Sequence, residues 1–151
     1  MEGRTSQKPE LTRVLVVANK TAATTALAEA VRKRAHSSPS RFTLLVPAVA
    51  HGLHRATDPE GQAPDEAQST LELAIPVLED AAGSRVEGRI GDSEPLAAVE
   101  DAVNSGEFDE IIISTLPTRV SKWLHVDLPR KVAGLDLPTT TVTAKGRQEE
   151  E

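Results

Sequence analysis

The sequence contains no cysteine, no tyrosine, and only two phenylalanines and one tryptophan. Without cysteine the chain cannot form disulfides, zinc–cysteine sites, iron–sulfur clusters or a thiol nucleophile. So few aromatic side chains cannot build the stacking platform on which binders of RNA or single-stranded DNA hold their bases. Disulfide scaffolds, thiol enzymes and aromatic-platform nucleic-acid binders are therefore excluded.

Long apolar runs and an excess of positive charge are missing as well. No apolar run approaches the ~18–20 residues that a membrane-spanning helix needs, and residues 1–10 lack the hydrophobic stretch of a secretory signal. The formal net charge is −6, which disfavours general affinity for nucleic acid. We therefore expect a cytoplasmic protein whose partners include neither membranes nor nucleic acid.

The chain has 151 residues, which suits one domain with a sizeable core. We place this domain at residues 11–145, between a disordered tail at 1–10 and an acidic disordered tail at 146–151. A segment rich in glycine, proline and charge at about 51–63 is typical of a mobile loop.

Within the domain, apolar runs alternate with helical patterns. Strands are predicted at 13–18, 41–49, 84–90, 109–116 and 138–144, and helices at 21–36, about 64–82, about 93–105 and about 127–134. Nearly continuous runs such as "RVLVVA" are typical of strands buried on both faces. The alternation predicts an α/β fold, a five-stranded parallel, doubly wound sheet in the order 3-2-1-4-5 with helices on both faces.

Four residues are predicted to shape the helices. Pro76 should kink or divide the second helix, because proline lacks a backbone N–H. Asp92 or Ser93 should cap the third helix by accepting hydrogen bonds from its free amides. Asp127 should cap the short fourth helix in the same way.

We expect a ligand to lie beyond the carboxyl ends of strands 1 and 4, where the winding of such a sheet reverses. Two segments reach this place, "ANKTA" at 18–22 and the stretch that begins at Ser114. Hydroxyls, basic groups and a helix N-terminus are the ingredients of a phosphate site. The candidate ligand-binding residues are Asn19, Lys20, Thr21, Ser114, Thr115, Arg119, Ser121 and Lys122.

The same stretch also has a purely structural interpretation, in which Arg130 and Lys131 support the short helix and Trp123 with Leu124 packs the loop onto the core. No Walker A, dinucleotide-binding or nucleophile-elbow pattern is present. "HGLH" at 51–54 offers two histidines at metal-ligand spacing, but a third ligand is not evident nearby. We therefore expect no catalytic residue, no metal and no cofactor.

Several segments together resemble the universal stress protein family. They are strand 1, the "GD" pair at 91–92, "DEIIIS" at 109–114, the long loop after it and the closing "LPTTTVTA" at 137–144. The resemblance covers about residues 12–144 and implies the adenine-nucleotide alpha-hydrolase-like fold. The ATP-binding branch of that family carries G-x-x-G-x9-G-[ST] after strand 4, and this loop with the following helix start wraps the phosphates.

This sequence keeps the spacing of that motif and none of its diagnostic residues. Ser114, Pro117, Asp127 and Leu128 stand at the four positions. Pro117 has no N–H to donate, and a carboxylate at Asp127 would repel a phosphate charge ~4 Å away by roughly 4 kcal/mol at an effective dielectric constant of about 20. After strand 1, Asn19 replaces the aspartate that contacts the nucleoside in the family. ATP bound in the family's usual way is therefore not expected.

Two functions remain open. The first is a non-enzymatic domain of the branch that does not bind ATP, which acts in stress response or signalling through contacts with an unknown protein partner. The second is a binder of a nucleotide or another phosphorylated small molecule, through a pocket rebuilt from the candidate residues. An enzyme of related architecture, such as a nucleotidyl transferase, would need a histidine or glycine signature after strand 1 that "ANKTA" does not offer.

The resemblance also implies a homodimer joined through the last strand, at Thr139–Thr143. The threonine-rich run suits an edge that pairs with its own copy, because β-branched residues favour strands and an uncovered edge invites pairing. If the C-terminal tail covered that edge, a monomer would be expected instead.

Overall fold

The predicted sheet is present, and all of its strands are parallel. The computed structural model describes residues 11–19, 21–48, 59–64 by backbone alone, 65–116, 123 and 127–144. Its strands are β1 (Thr12–Val17), β2 (Ser40–Pro47), β3 (Val86–Gly91), β4 (Glu110–Thr115) and β5 (Thr139–Thr143). They lie in the order β3-β2-β1-β4-β5, which confirms the predicted arrangement and places the reversal of winding between β1 and β4.

The helices of the described residues are α1 (Thr25–Ser37), α2 (Pro59–Ala82), α3 (Pro95–Asn104) and α4 (Leu128–Ala133). α2 starts at Pro59, so the last part of the predicted loop at 51–63 is helical. The rest of that loop, including the histidine pair at 51–54, lies outside the described residues. In the described ranges no helix is both long enough and apolar enough to cross a membrane.

α2 is not divided at Pro76, where the sequence predicts a kink or a division. Its buried stripe runs without interruption past the proline, from Ala67 and Leu71 to Leu78. Pro76 itself lies on the exposed side of the helix. Packing of the continuous apolar stripe against the sheet outweighs the one backbone hydrogen bond that proline removes.

α3 is capped by Glu94, so the prediction of Asp92 or Ser93 as the cap is wrong. The Glu94 carboxylate accepts a hydrogen bond from the Ala97 N–H at 3.1 Å, and Asp92 accepts one from the Glu94 N–H at 2.9 Å. The displacement has a simple cause, because Pro95 suits the first helical turn and forces the residue before it into an extended conformation. Glu94 has φ −93° and ψ 114°, the backbone that a capping residue needs.

Alternate residues of the central strands face two separate cores, which confirms that helices cover both faces of the sheet. Val14 and Val16 of β1 point to the side of α1 and α2. Leu15 and Val17 point to the side of α3 and α4. All four side chains are fully buried, as expected for a strand in the middle of a parallel sheet.

Gly91 ends β3 at a point where α3 approaches the sheet closely. A Cβ atom at this position would lie 2.8 Å from the Ala98 Cβ and 2.9 Å from the Leu45 Cδ1. Both distances are shorter than real Cβ contacts, so only glycine fits without displacement of its neighbours. The "GD" pair of the sequence thus has a packing role at its first residue and a role in the α3 cap at its second.

Candidate ligand-binding site

The carboxyl ends of β1 and β4 lie side by side, as the sequence predicts. The two strands pair in parallel from Val14 opposite Glu110 to Val17 opposite Ile113. The chain then continues from β1 into a tight turn, in which the Ala22 N–H donates to the Asn19 carbonyl at 3.1 Å. This turn brings the residues after β1 over the end of β4.

Thr21 and Ser114, two of the candidate residues, are bonded to each other. Their hydroxyl oxygens lie 2.6 Å apart, although 93 positions separate the residues in the sequence. Thr21 is 3% exposed and Ser114 is 1% exposed. A buried hydroxyl must have a partner to offset its lost hydration, and here each residue supplies the other's. Neither hydroxyl is presented to solvent as a ready ligand for an anion.

Thr115 is also buried, at 2% exposure, but its hydroxyl is not hydrogen-bonded as those of Thr21 and Ser114 are. Among the described residues its hydroxyl has no hydrogen-bond partner, while its carbonyl accepts from the Ala144 N–H at 2.8 Å. Side chains alternate along a strand, so Thr115 points to the α3 and α4 side, opposite to Ser114. It is an unsatisfied polar group at the end of β4, the kind of atom that a bound ligand or water satisfies.

The remaining candidates divide into one described residue and four others. Asn19 lies directly beyond β1 and is half-buried. Lys20, Arg119, Ser121 and Lys122 lie outside the described residues. The structure therefore joins Thr21 to Ser114 and places Asn19 and Thr115 at the same edge of the sheet, and the basic part of the predicted site stays a prediction.

One exposed ion pair lies at the opposite edge of the sheet. Arg13 and Asp109 form an ion pair of 2.9 Å at the amino ends of β1 and β4, and hydrogen bonds from Arg13 lower the pKa of the Asp109 carboxyl to about 2. The described candidates at the carboxyl ends are all uncharged. Nor do the described ranges contain a group of three or more side chains that could hold a metal ion.

Asp127, directly before α4, has a backbone conformation that glycine adopts more readily than other residues. Its φ is 60° and its ψ is 39°, in the left-handed region that aspartate tolerates better than most residues but that glycine favours. The motif of the resembled family has glycine at this position. Asp127 thus adopts a conformation that a glycine at this position would adopt without strain.

The predicted capping bond of Asp127 is wrong. The residue occupies the N-cap position of α4 but makes no capping hydrogen bond, since a capping side chain needs an extended backbone. Its carboxylate instead accepts a hydrogen bond from the Arg130 Nη1 at 3.1 Å. The carboxylate therefore stays at the surface, next to the start of the helix.

Replacing Asp127 with glycine and with alanine measures how strongly this backbone favours glycine. Both variants lose the ion pair with Arg130, so that loss cancels in the comparison. Asp127→Gly should be more stable to urea than Asp127→Ala by about 1–2 kcal/mol, because a left-handed conformation is costly for a residue with a Cβ. Equal urea midpoints for the two variants would contradict the left-handed conformation.

Trp123 is partly buried and packs against the core cluster on the α3 and α4 side. Leu128 and Val132 of α4 belong to the same cluster. The interpretation in which this tryptophan packs onto the core is therefore confirmed for Trp123 itself. Since it is the only tryptophan in the chain, its fluorescence reports on this side of the molecule.

The comparisons with known proteins concern the fold as a whole. Neither a protein-family model nor a curated protein sequence matches the chain. Solved structures do match: a universal stress protein in complex with cAMP superposes with a TM-score of 0.62 over 90% of this chain and 100% of its own, at 15% identity. The chain has the universal stress protein fold.

Two further structures with the universal stress protein fold cover nearly the same residues. Universal stress protein UspA from Lactobacillus plantarum has a TM-score of 0.62 and 18% identity, and the match covers 90% of this chain and 99% of that one. A family protein from Arabidopsis thaliana with AMP bound has a TM-score of 0.60 and 15% identity, over 91% of this chain and 94% of that one. The resemblance in the sequence is thereby confirmed at the level of the fold.

Proposed function

We propose that this chain is a non-enzymatic, universal-stress-protein-like domain that does not hold ATP in the manner of the family's ATP-binding branch. It acts in stress response or signalling through protein contacts. The observation that carries the proposal is the buried bond between Thr21 and Ser114, at 2.6 Å. Ser114 stands where the motif begins, and its hydroxyl is occupied by a residue of the turn that follows β1.

The start of α4 supports the same proposal. In an ATP site of this kind, a phosphate lies against the amides at the beginning of this helix. Here the carboxylate of Asp127 lies beside them, held at the surface by Arg130. A phosphate at these amides would have to approach this carboxylate, and the repulsion between the two negative charges, reduced by Arg130, disfavours binding there.

A homodimer through β5 belongs to this proposal. β5 lies at one end of the sheet order, and Thr140, Thr141 and Thr143 are exposed. Antiparallel pairing of two copies about Thr141 would set threonines opposite one another, a favourable cross-strand combination. No charged residue lies within Thr139–Thr143 to oppose the contact.

Deletion of the gene, followed by complementation, tests the proposed role. We expect the deletion to reduce survival under at least one stress, such as starvation or oxidant, and we expect the wild-type gene to restore it. A gene that carries Lys122→Glu should restore survival equally well, because the proposed role needs no anion at the candidate site. No survival defect under any stress would contradict the proposal.

A second candidate function, a binder of a nucleotide or another phosphorylated small molecule, is favoured by Thr115. Its hydroxyl is buried and has no partner among the described residues, at the edge where Asn19 also lies. AMP, ATP and inorganic phosphate should then raise the melting temperature, since a ligand selective for the native state stabilises it. Lys122→Glu should abolish the rise, whereas Lys131→Glu, a matched change on the exposed side of α4, should not. A full rise in the Lys122→Glu variant would eliminate this pocket.

A further inference from the structure

In the described residues, β3 forms the edge of the sheet opposite to β5. The order of charged and apolar residues along this strand is unusual. The strand follows β2 at the end of the sheet order. Its central sequence is Val86-Glu87-Gly88-Arg89-Ile90, in which two opposite charges flank a glycine and two apolar residues flank the charges. When two copies of this segment run antiparallel, each charged residue of one copy can lie opposite the oppositely charged residue of the other.

The two faces of β3 separate the charges from the apolar side chains. Val86 is buried in the cluster under α2, and a Cβ on Gly88 would meet Leu71 of α2 at 2.9 Å. Arg89 lies on the other face, where its guanidinium carbon is 5.3 Å from the centre of the Phe108 ring. By the alternation of a strand, Glu87 lies on the same face as Arg89, and Ile90 on the same face as Val86.

The backbone groups of β3 that point away from the sheet can be assigned from two hydrogen bonds. The Gly91 carbonyl accepts from the Ala48 N–H at 3.0 Å, so the groups of 87, 89 and 91 point inward to β2. The groups of 86, 88 and 90 then point outward, since N–H and C=O directions alternate along a strand. The outward N–H of Val86 donates to the Glu79 carboxylate at 3.0 Å, which agrees with this assignment.

We propose that β3 pairs antiparallel with β3 of a second copy of this chain, about a two-fold axis at Gly88. In this register Gly88 faces its own copy, and Glu87 faces Arg89 of the second copy on both sides of the axis. Val86 faces Ile90 of the second copy on the opposite face. One arrangement thus brings opposite charges together on one face and covers the exposed Ile90 on the other, at the symmetric positions that an isologous interface requires.

The backbone geometry fits this register without a change in the strand. Gly88 opposite Gly88 forms a hydrogen-bonded pair, because both residues direct their N–H and C=O groups outward. Ile90 donates to Val86 of the second copy in the same way. The Glu79 carboxylate, which accepts from the Val86 N–H within the chain, turns aside on pairing because the Ile90 carbonyl of the second copy takes its place. Six hydrogen bonds then join the two strands.

The surface beside the strand has room for a second copy. A groove of about 670 Å³ runs between α2 and the edge, lined on the helix by Gln68, Glu72 and Pro76. Ile90 is 40% exposed, although it is a large apolar residue, and the second copy would cover it. Charged side chains on an edge strand usually discourage pairing with another strand. Here the two charges have opposite signs and lie at equal distances on either side of Gly88. That complementarity points to the chain's own copy as the occupant.

Charge reversal at the two positions tests the proposal by sedimentation velocity. The wild-type protein should associate through β3 in addition to the proposed β5 dimer. Glu87→Arg should weaken the β3 association about tenfold or more, because two attractive cross-strand pairs become repulsive. Arg89→Glu should do the same, and the double variant Glu87→Arg/Arg89→Glu should regain association because its pairs are merely exchanged. Arg89 also contacts Glu107 within the chain, but that contact is lost in both Arg89 variants.

Two further single variants serve as controls for the charge reversals. Asp101→Arg, an equal change at an exposed position of α3, should leave the association unchanged. Thr141→Lys in the centre of β5 tests the other edge, and a dimer that dissociates with Thr141→Lys but not with Glu87→Arg would overturn the proposal. A wild-type protein that is monomeric throughout, or a double variant no better than the single ones, would overturn it too.

The absence of cysteine from the sequence allows the register itself to be measured. Residues 87 and 89 of opposed copies would form a non-hydrogen-bonded pair with Cα atoms ~4.5 Å apart, within reach of a disulfide. A mixture of Glu87→Cys and Arg89→Cys proteins should therefore crosslink on oxidation at least about tenfold faster than either protein alone, since the like pairs lie ~7–8 Å apart on the diagonal. Equal rates in the mixture and in the separate proteins would contradict the register.

Discussion

Replacing Gly91 with alanine is expected to lower the free energy of unfolding by about 1–3 kcal/mol. The added Cβ would lie 2.8 Å from the Ala98 Cβ and 2.9 Å from the Leu45 Cδ1, so α3 would have to move away from the sheet. The Ala98 methyl is fixed to the helix backbone and cannot turn aside. Urea denaturation followed by circular dichroism measures the change in unfolding free energy.

Gly88→Ala is the matched control for this substitution. Its Cβ would meet the Leu71 Cδ2 at 2.9 Å, which is the end of a flexible side chain and can rotate away. We expect Gly88→Ala to be less damaging than Gly91→Ala, and Ala98→Gly to recover part of the loss in the Gly91→Ala background. If Gly91→Ala were as stable as the wild-type protein, the close approach of α3 to β3 would be wrong.

Breaking the Thr21–Ser114 bond is expected to be similarly costly. Thr21→Val and Ser114→Ala should each lower the unfolding free energy by about 1–3 kcal/mol, because each leaves the other hydroxyl buried without its partner. The double variant should lose less than the sum of the two single losses, with a coupling energy of at least about 0.5 kcal/mol. The four urea curves of this double-mutant cycle provide the measurement.

Thr115→Val is the control for the cycle, at the next residue of the strand. Its hydroxyl has no partner among the described residues, so removing it should leave the stability unchanged or raise it. Additive losses for Thr21→Val and Ser114→Ala would show that the two hydroxyls do not interact. A large loss from Thr115→Val would mean that its hydroxyl does have a partner.

Much of the fold could be predicted from the sequence because the central strands carry long, nearly continuous apolar runs. The β-branched run of β1 and the "EIIIS" run of β4 are buried on both faces, and only a strand in the middle of a parallel sheet needs such a sequence. The first residue of α1 is harder to predict from the sequence. Helical periodicity begins at Thr21, but Thr21–Thr24 form a turn whose hydrogen bonds precede the Thr24 cap.

The errors in the sequence-based predictions share a physical cause, which is competition between local preferences. Aspartate is a good cap in general, yet Pro95 shifts the cap of α3 to Glu94. Asp127 is equally suited to capping, yet its left-handed backbone turns the carboxylate to Arg130. In both cases an aspartate suits the cap by residue type, and the local backbone conformation decides whether the capping hydrogen bond forms.

The candidate site was predictable in position but not in its internal contacts. Strand order alone brings the ends of β1 and β4 together. No local signal shows that Thr21 and Ser114 bond to each other, because 93 positions separate them and the contact exists only once the sheet has formed. That the Thr115 hydroxyl has no partner among the described residues is likewise a property of the packed structure.

We propose that the loop after β4 retains the length of a phosphate-binding loop but forms no phosphate site, and titration with ATP is the direct test. ATP is added to the purified protein in a calorimeter, while Trp123 fluorescence is followed in parallel. We expect neither heat nor a fluorescence change up to millimolar ATP. Saturable binding at micromolar ATP, equivalent to about 8 kcal/mol of binding free energy, would contradict it.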